Sequence, residues 1–173
     1  LRPPLLTKIK EKLFMRKGVD PMFCFIPMGM FALASRLFEK SYKVKMVNLG
    51  TEQKIDSSLD IFKYVRSLHS RIYAIDLQWF VHSSSALQLA RICKTTHPES
   101  LTVLGGMTAT WFNSSILREN SYVDAVLLGE ADESLPSLVE AWLAGKSFEH
   151  ISGVTFRFNN KVNENPIRSV PSS

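Results

Sequence analysis

Short apolar runs alternate with amphipathic segments between residues 71 and 143, and this alternation limits the fold more than any other feature of the sequence. The runs are apolar almost throughout, which is typical of strands buried on both faces of a sheet. They cover residues 71–79, 100–104 and 123–128. Because strands that alternate with helices form parallel sheets, we predict an α/β fold. It is a doubly wound, flavodoxin-like or Rossmann-like parallel sheet with helices on both faces.

The intervening segments predict the helices and the remaining strands. Some helices show apolar residues at helical spacing, and others follow serines of the N-cap type; they are expected over 29–40, after Ser57 and Ser58, after Ser83, Ser84 and Ser85, over 111–119 and over 135–143. Residues 42–49 alternate toward a strand, and residues 151–162 predict a ribbon that turns at Asn159 and Asn160. The helix over 29–40 should follow a strand, either residues 23–26 or a segment upstream of Leu1.

Composition places the chain among globular proteins. Its 173 residues are 45% hydrophobic, which is enough for one domain with a full core. No apolar run reaches the ~18 residues of a membrane span, no signal peptide is visible, and the two cysteines have no metal or disulfide spacing, so we expect a cytoplasmic protein. Because the sequence begins with Leu1 rather than Met, we expect part of a longer chain.

Charge and composition divide the sequence into three predicted regions. Residues 1–21 form a basic entry segment, residues 22–150 the α/β domain, and residues 151–173 the ribbon and a linker toward a following domain. The net charge is +5, and ten Lys and Arg against three Asp and Glu lie in residues 1–48. Such a segment is a solvated face or a docking surface for an acidic partner. No motif of nucleic-acid recognition accompanies it, so nucleic-acid binding is not favoured.

The expected site lies where the predicted strands end. Ligands of open α/β sheets bind outside the carboxyl ends of the strands, near a switch in strand order. Four loops qualify, over residues 27–29, 76–85, 105–110 and 129–133. The pair Gly105 and Gly106 follows a strand directly, where missing side chains permit either the close approach of a ligand or a tight turn without one.

Several residues of these loops carry two readings. Asp76, inside an apolar run, either serves a ligand or accepts hydrogen bonds from nearby backbone. His82 either contacts a metal or ligand or is a surface histidine, and no second ligand stands at metal spacing. Trp79 and Phe80 either wall a flat apolar ligand or pack in the core. No nucleophile–base pair, dinucleotide fingerprint or Walker-type loop is present, so no catalytic residue and no protein metal ligand is predicted.

Five segments in order carry a family resemblance. They are Pro27-Met-Gly29, Tyr42-Lys-Val-Lys-Met-Val47, Leu101-Thr-Val-Leu-Gly-Gly-Met107, Val123-Asp-Ala-Val-Leu-Leu-Gly-Glu130 and Glu133-Ser-Leu-Pro-Ser-Leu138. Over residues 22–165 the chain resembles the cobalamin-binding domain at the amino end of many radical SAM enzymes. The glycine pair and the Gly-Glu-x-x-Glu-Ser-Leu-Pro run together are the most specific part.

The resemblance implies a corrinoid held across the carboxyl ends of the strands. Its nucleotide tail would pass the missing side chains of the glycine pair. The cofactor-binding residues implied by position are Asp76, Gln78, Ser83, Ser84, Ser85, Gly105, Gly106, Met107, Thr108, Gly129 and Glu130. Asp76 stands where the family usually has a small hydroxyl residue.

Two motifs of related enzymes are missing from the sequence. Without Asp-x-His-x-x-Gly, the resemblance implies base-off cobalamin with no protein histidine on cobalt. Without Cys-x-x-x-Cys-x-x-Cys, S-adenosylmethionine and the 4Fe-4S cluster would belong to a radical SAM barrel further along the same polypeptide. The function expected is therefore that of a cobalamin-binding module of a methyl-transferring enzyme, with no active site of its own. The alternatives are a cofactor-free domain that docks an acidic partner or substrate, and a nucleotide-using α/β enzyme.

Overall fold

A computed structural model describes residues 26–167. The basic entry segment, the candidate strand over 23–26 except Ile26, and the end of the linker therefore lie outside the described residues. Two units are distinguished: Ile26 with residues 46–59, and residues 27–45 with 60–167. The larger unit contains the sheet and the candidate site. The described helices include none that is long and apolar enough to cross a membrane.

The larger unit alternates helices and strands, as predicted. Its helices are α1 (Met28–Glu39), α3 (Ile61–Ser67), α4 (Ser83–Thr96), α5 (Met107–Trp111), α6 (Asn113–Glu119) and α7 (Ser134–Leu143). Its strands are β1 (Ile72–Asp76), β2 (Leu101–Gly105), β3 (Ala125–Leu127), β4 (Val154–Phe158) and β5 (Lys161–Asn165). The smaller unit contains one helix, α2 (Leu49–Ile55).

The five strands form one mixed sheet in the order β1-β2-β3-β4-β5. β1, β2 and β3 are parallel, with Ile72 opposite Leu101 and Val103 opposite Ala125. β4 and β5 are antiparallel to their neighbours. The predicted α/β class and the parallel heart of the sheet are confirmed. The switch in strand order is not found among the described strands, which follow one another in sequence order.

The core lies on both faces of this sheet, because neighbouring residues of a strand point to opposite faces. Leu101 and Val103 of β2 pack with α7 and with Leu33 and Leu37 of α1. Leu104 packs on the other face with α4, α5 and α6. Helices therefore cover both faces, as predicted from the near-continuous apolar strands.

Two predicted elements are corrected. Residues 42–49 are not a strand: residues 42–48 have no regular structure and α2 begins at Leu49. Polar and apolar residues do alternate in this segment, but no described strand lies beside it to supply the backbone partners that a strand needs. Residues 111–119 are not one helix, because the helix is interrupted at Phe112, between α5 and α6.

The predicted serine caps are also corrected. Asp60, not Ser57 or Ser58, caps α3 by accepting the Lys63 N–H at 3.0 Å. Residues 83–85 lie inside the first turn of α4, whose N-cap is His82 without a side-chain cap bond. An aspartate placed immediately before the helix reaches the free N–H groups, whereas serines two or three residues earlier do not.

The predicted ribbon forms and is longer than expected. Asn159 and Asn160 connect β4 to β5 with positive φ angles of 50° and 60°, as a two-residue hairpin turn requires. β5 extends to Asn165, so residues 163–165, predicted as linker, complete the strand pair.

Candidate functional site

The loops after β1 and β2 are in direct backbone contact at the carboxyl edge of the sheet. The N–H of Leu77 donates to the carbonyl of Gly105 at 2.7 Å, and the N–H of Ala109 donates to the carbonyl of Leu77 at 3.2 Å. A Cβ on Gly106 would lie 2.9 Å from the Leu77 carbonyl, and Gly106 has a φ of +106°. Gly106 is therefore needed for the turn itself.

Gly105 differs from its neighbour in what surrounds it. A Cβ there would meet only the side chain of Leu127, at 3.8 Å, which is an ordinary contact. The tight-turn interpretation thus accounts for Gly106. At Gly105 the fold would also accommodate a side chain, so the turn does not explain this glycine. Ligand approach at the glycine pair stays a prediction, and Gly105 is where it applies.

Gln78 ties the β1 loop to the first turn of α5. Its side-chain Oε1 accepts the N–H of Met107 at 3.2 Å, and its backbone carbonyl accepts the hydroxyl of Thr108 at 3.0 Å. Since Met107 offers a donor, the amide must turn its oxygen toward it. Three predicted site residues are thereby brought together, and Gln78 orients them.

Thr110 makes the corresponding connection between the β2 and β3 loops. Its hydroxyl donates to the carbonyl of Gly106 and accepts the N–H of Gly129, both at 2.9 Å. Sequence reasoning did not single out Thr110. The only available signal was a hydroxyl residue one turn after the glycine pair, and its partner in the next loop could not be read from sequence.

A group of exposed apolar side chains lies in the loop after β1 and in α5 and the residue after it. We call it the aromatic rim, and its members are Trp79, Phe80, Val81, Met107, Trp111 and Phe112. Trp111 is 84% exposed and Trp79 52% exposed, and the rings of Phe80 and Phe112 lie 6.0 Å apart. Core packing of Trp79 and Phe80 is thus not observed. Exposed aromatic side chains close together at the edge of a sheet are typical of a surface that binds another apolar body.

Asp76 ends β1 opposite Gly105 and is partly buried. Burial raises the pKa of its carboxyl above 3.8, while the backbone N–H of Gln78 and the nearby His82 oppose the rise. Both interpretations of Asp76 therefore have support: it accepts a backbone hydrogen bond, and it is a carboxyl whose charge a polar ligand would stabilise.

The remaining predicted residues lie at the start of α4 and in the loop after β3. Ser83 and Ser85 donate their hydroxyls to the carbonyls of Phe80 and His82, so these two side chains serve the start of α4, while Ser84 is exposed. Gly129 has a φ of +62°, and Glu130 beside it is exposed. In the described range 26–167, no three His, Cys, Asp or Glu side chains are grouped to hold a metal ion.

This edge fits a large ligand with a flat apolar body and a polar periphery. The rim supplies apolar area, Gly105 leaves backbone open, and Gln78, Asp76 and Glu130 supply polar groups around it. A corrinoid has such a form, with a wide macrocycle fringed by amide groups. The residues present therefore fit cobalamin, and they fit a directly bound metal ion poorly.

Comparison with known proteins identifies the family of this chain. Residues 19–139 match the family described as the B12 binding domain. The match covers most of the chain, including β1, β2, β3 and the glycine pair, so the chain belongs to the B12 binding domain family.

Relatives and solved structures place this domain inside longer proteins. An uncharacterized methyltransferase of Pyrococcus horikoshii is 29% identical over 142 residues, which are 82% of this chain and 30% of the relative. The radical S-adenosylmethionine methyltransferase TsrM of Kitasatospora setae superposes with a TM-score of 0.68 at 12% identity, over 82% of this chain and 27% of that one.

A second solved structure, the cobalamin-dependent S-adenosylmethionine radical enzyme OxsB with aqua-cobalamin and S-adenosylmethionine bound, has a TM-score of 0.68 at 14% identity. It covers 84% of this chain and 20% of that chain. The present chain thus spans less than a third of each of these three proteins, and the structural likenesses establish the shared fold.

Proposed function

We propose that this chain is the cobalamin-binding module of a larger radical SAM enzyme of the methyl-transfer type. The observation that carries the proposal is the aromatic rim, which lies at the carboxyl edge of the sheet in a chain of the B12 binding domain family. The aromatic rim belongs to the same loops as Gly105, where the fold itself would leave room for a Cβ. Both features are explained by a cofactor that rests there.

The rim residues would bind the macrocycle, and the loops would bind its polar periphery. Gly105 would admit the nucleotide tail, with Gly106, Met107 and Thr108 lining its path, and Gln78 would offer its amide. Their neighbours at the margins are Asp76, Ser83, Ser84, Ser85, Gly129 and Glu130. When bound, cobalamin supplies a cobalt centre that can carry a methyl group. The chain's own part is to position this centre and to exclude water from the covered face.

We further propose that no protein histidine binds cobalt and that the cofactor is bound base-off. The support is the missing Asp-x-His-x-x-Gly motif, together with the position of His82, which ends the turn Phe80–His82 as the N-cap of α4. A His82→Ala variant should therefore retain cobalamin with an unchanged visible spectrum. A spectral shift in this variant would make His82 a cobalt ligand and overturn this part of the proposal.

The partner would be a radical SAM barrel in the same polypeptide, which would hold S-adenosylmethionine and the 4Fe-4S cluster. The support is that each matched protein is more than three times as long as the matched region. On this proposal residues 22–150 are the binding domain, residues 151–173 lead to the barrel, and the protein is cytoplasmic, where reduced cobalt and iron–sulfur centres persist.

Tryptophan fluorescence tests the proposal in solution. Trp79 and Trp111 belong to the rim, so hydroxocobalamin should quench their emission in a saturable titration. ATP, NAD and FMN serve as matched additions and should leave both the emission and the melting temperature unchanged. Saturable binding of one of these nucleotides with no response to cobalamin would replace the proposed function with that of a nucleotide-using protein.

A further inference from the structure

We infer that Thr110 is a positioning residue for the cofactor, and this inference rests on the proposed function. Its side chain is partly buried, and its hydroxyl oxygen joins two of the site's loops. The hydroxyl donates to the carbonyl of Gly106 and accepts the N–H of Gly129, each at 2.9 Å. One oxygen atom therefore links the loop after β2 to the loop after β3, in addition to the pairing of the two strands.

Only a hydroxyl performs this task. It must donate and accept at the same time, which an aliphatic side chain cannot do and an amide does only through two separated atoms. Both partners are backbone groups, so neither can turn toward another side chain. Without the hydroxyl the N–H of Gly129 loses its partner, and a loop that was fixed by that bond is free to move.

Thr110 is itself held in place from below. Its carbonyl accepts the side-chain amide of Asn113 at 2.7 Å, and the Oδ1 atom of Asn113 accepts the hydroxyl of Thr155 at 3.0 Å. Thr155 belongs to β4 and is fully buried. A chain of hydrogen bonds thus runs from a buried residue of β4, in the core of the sheet, to Gly129.

The bond from Thr110 adds a restraint at Gly129, directly after Leu128, which is buried and donates its N–H to the Gly153 carbonyl at 2.8 Å. Gly129 has a φ of +62°, and Glu130 next to it is exposed. This loop faces the candidate site from β3, whereas Gln78 and Thr108 hold the loops of β1 and β2 together. Removing the Thr110 hydroxyl should therefore disturb one side of the site and leave the other intact.

Two variants of one residue separate the hydroxyl from the shape of the side chain. Thr110→Val keeps the branched shape and loses the hydroxyl, and Thr110→Ser keeps the hydroxyl and loses a methyl group. Thr102→Val is the matched control, because the Thr102 hydroxyl is buried without a hydrogen-bond partner among the described residues. Thr102 lies near the start of β2, whereas the loop that follows β2 begins after Gly105 at the other end of the strand.

Two readouts then test the inference on the full chain. Hydrogen exchange of the Gly129 amide should accelerate in Thr110→Val and return toward the wild-type rate in Thr110→Ser. The dissociation constant for hydroxocobalamin should rise about tenfold in Thr110→Val, with Thr110→Ser and Thr102→Val near wild type.

The outcomes separate this inference from the proposed function. If wild type binds cobalamin and Thr110→Val binds equally well, or binds more weakly without rescue by Thr110→Ser, the positioning role is overturned and the proposed function stands. If wild type does not bind cobalamin, the proposed function fails and the inference fails with it. Faster Gly129 exchange in that case would show only that the bond holds the loop.

Discussion

Gly106 faces the backbone of Leu77 so closely that a Cβ on Gly106 would lie 2.9 Å from the Leu77 carbonyl oxygen. The neighbouring glycine has no such constraint, since a Cβ on Gly105 would be 3.8 Å from the nearest side-chain atom. The absence of a side chain thus has a different physical consequence at each of the two adjacent glycines. Gly106 closes the turn between two loops, and Gly105 leaves the edge of the sheet open.

The first prediction separates these two glycines by stability. Gly106→Ala should lower the free energy of unfolding by about 2 kcal/mol, because a positive φ and a backbone clash act together. Gly105→Ala should be neutral or stabilising by up to about 1 kcal/mol, because alanine loses less entropy in a strand. Urea denaturation of both variants measures the difference. Equal losses would mean that the loops do not pack as the structure shows.

The aromatic rim gives the second prediction. Trp79→Ala and Trp111→Ala should each weaken cobalamin binding by about three- to tenfold, since each removes exposed aromatic area that the macrocycle would cover. Their melting temperatures should stay near wild type, because exposed side chains contribute little to the core. Phe158→Ala is the control: Phe158 is also about half exposed, but it lies at the opposite end of the sheet, beside Lys161. Weaker binding in that control would show that the cofactor does not rest on the rim.

Lys94 gives the third prediction, which concerns the fold alone. Its ammonium group donates to Asp124 at 2.9 Å and to the Ser100 carbonyl at 2.7 Å, and Asp124 also accepts the N–H of Thr102. Lys94→Met should lower the free energy of unfolding by about 1–3 kcal/mol, because it leaves a partly buried carboxylate short of a partner.

An exposed pair supplies the control for Lys94. Lys40 and Glu140 lie 3.7 Å apart with both side chains at least half exposed, so Lys40→Met should change the free energy of unfolding by less than about 1 kcal/mol. Chemical denaturation at matched ionic strength measures both variants. Equal effects would indicate that Lys94 acts no differently from a surface charge.

Asp76 gives the fourth prediction, a dependence of stability on pH. Because burial raises the pKa of its carboxyl above 3.8 in the folded state, the folded protein binds this proton more tightly than the unfolded chain. Asp76 therefore costs stability progressively as the pH rises from 3.8 through the raised value, and the cost persists above it. Asp76→Asn removes this cost and can still accept the Gln78 N–H.

Denaturation curves over a range of pH values test this sign. The difference in stability between Asp76→Asn and wild type should be near zero below the ordinary pKa of aspartate and should favour the variant at neutral pH. A variant that is less stable than wild type at neutral pH would mean that the ionised carboxylate is held by bonds strong enough to outweigh its burial.

The fold could be predicted because its dominant signal is local. A few neighbouring residues are enough to predict β1, β2 and β3 from their apolar runs, and to predict the hairpin turn from its paired asparagines. Residues 42–49 show the limit of the same signal. Their alternation is typical of a strand, but a strand exists only beside another strand, and the described residues contain no such neighbour for it.

The sequence predicts where the candidate site lies, but it does not predict which hydrogen bonds hold the site together. The loops followed from the strand ends, and Gln78, Met107 and Thr108 do meet there. The role of Thr110 could not be read in advance, because its partner Gly129 is 19 residues away in sequence. The distinction between Gly105 and Gly106 likewise depends on the position of Leu77 across the loop.

The visible absorption spectrum after incubation with hydroxocobalamin and desalting shows whether the protein binds and retains cobalamin. We expect near-stoichiometric cobalamin that stays with the protein and shows the base-off spectrum, together with weaker retention in Trp111→Ala. A colourless protein after desalting would contradict cobalamin binding and leave the aromatic rim as a surface for another partner.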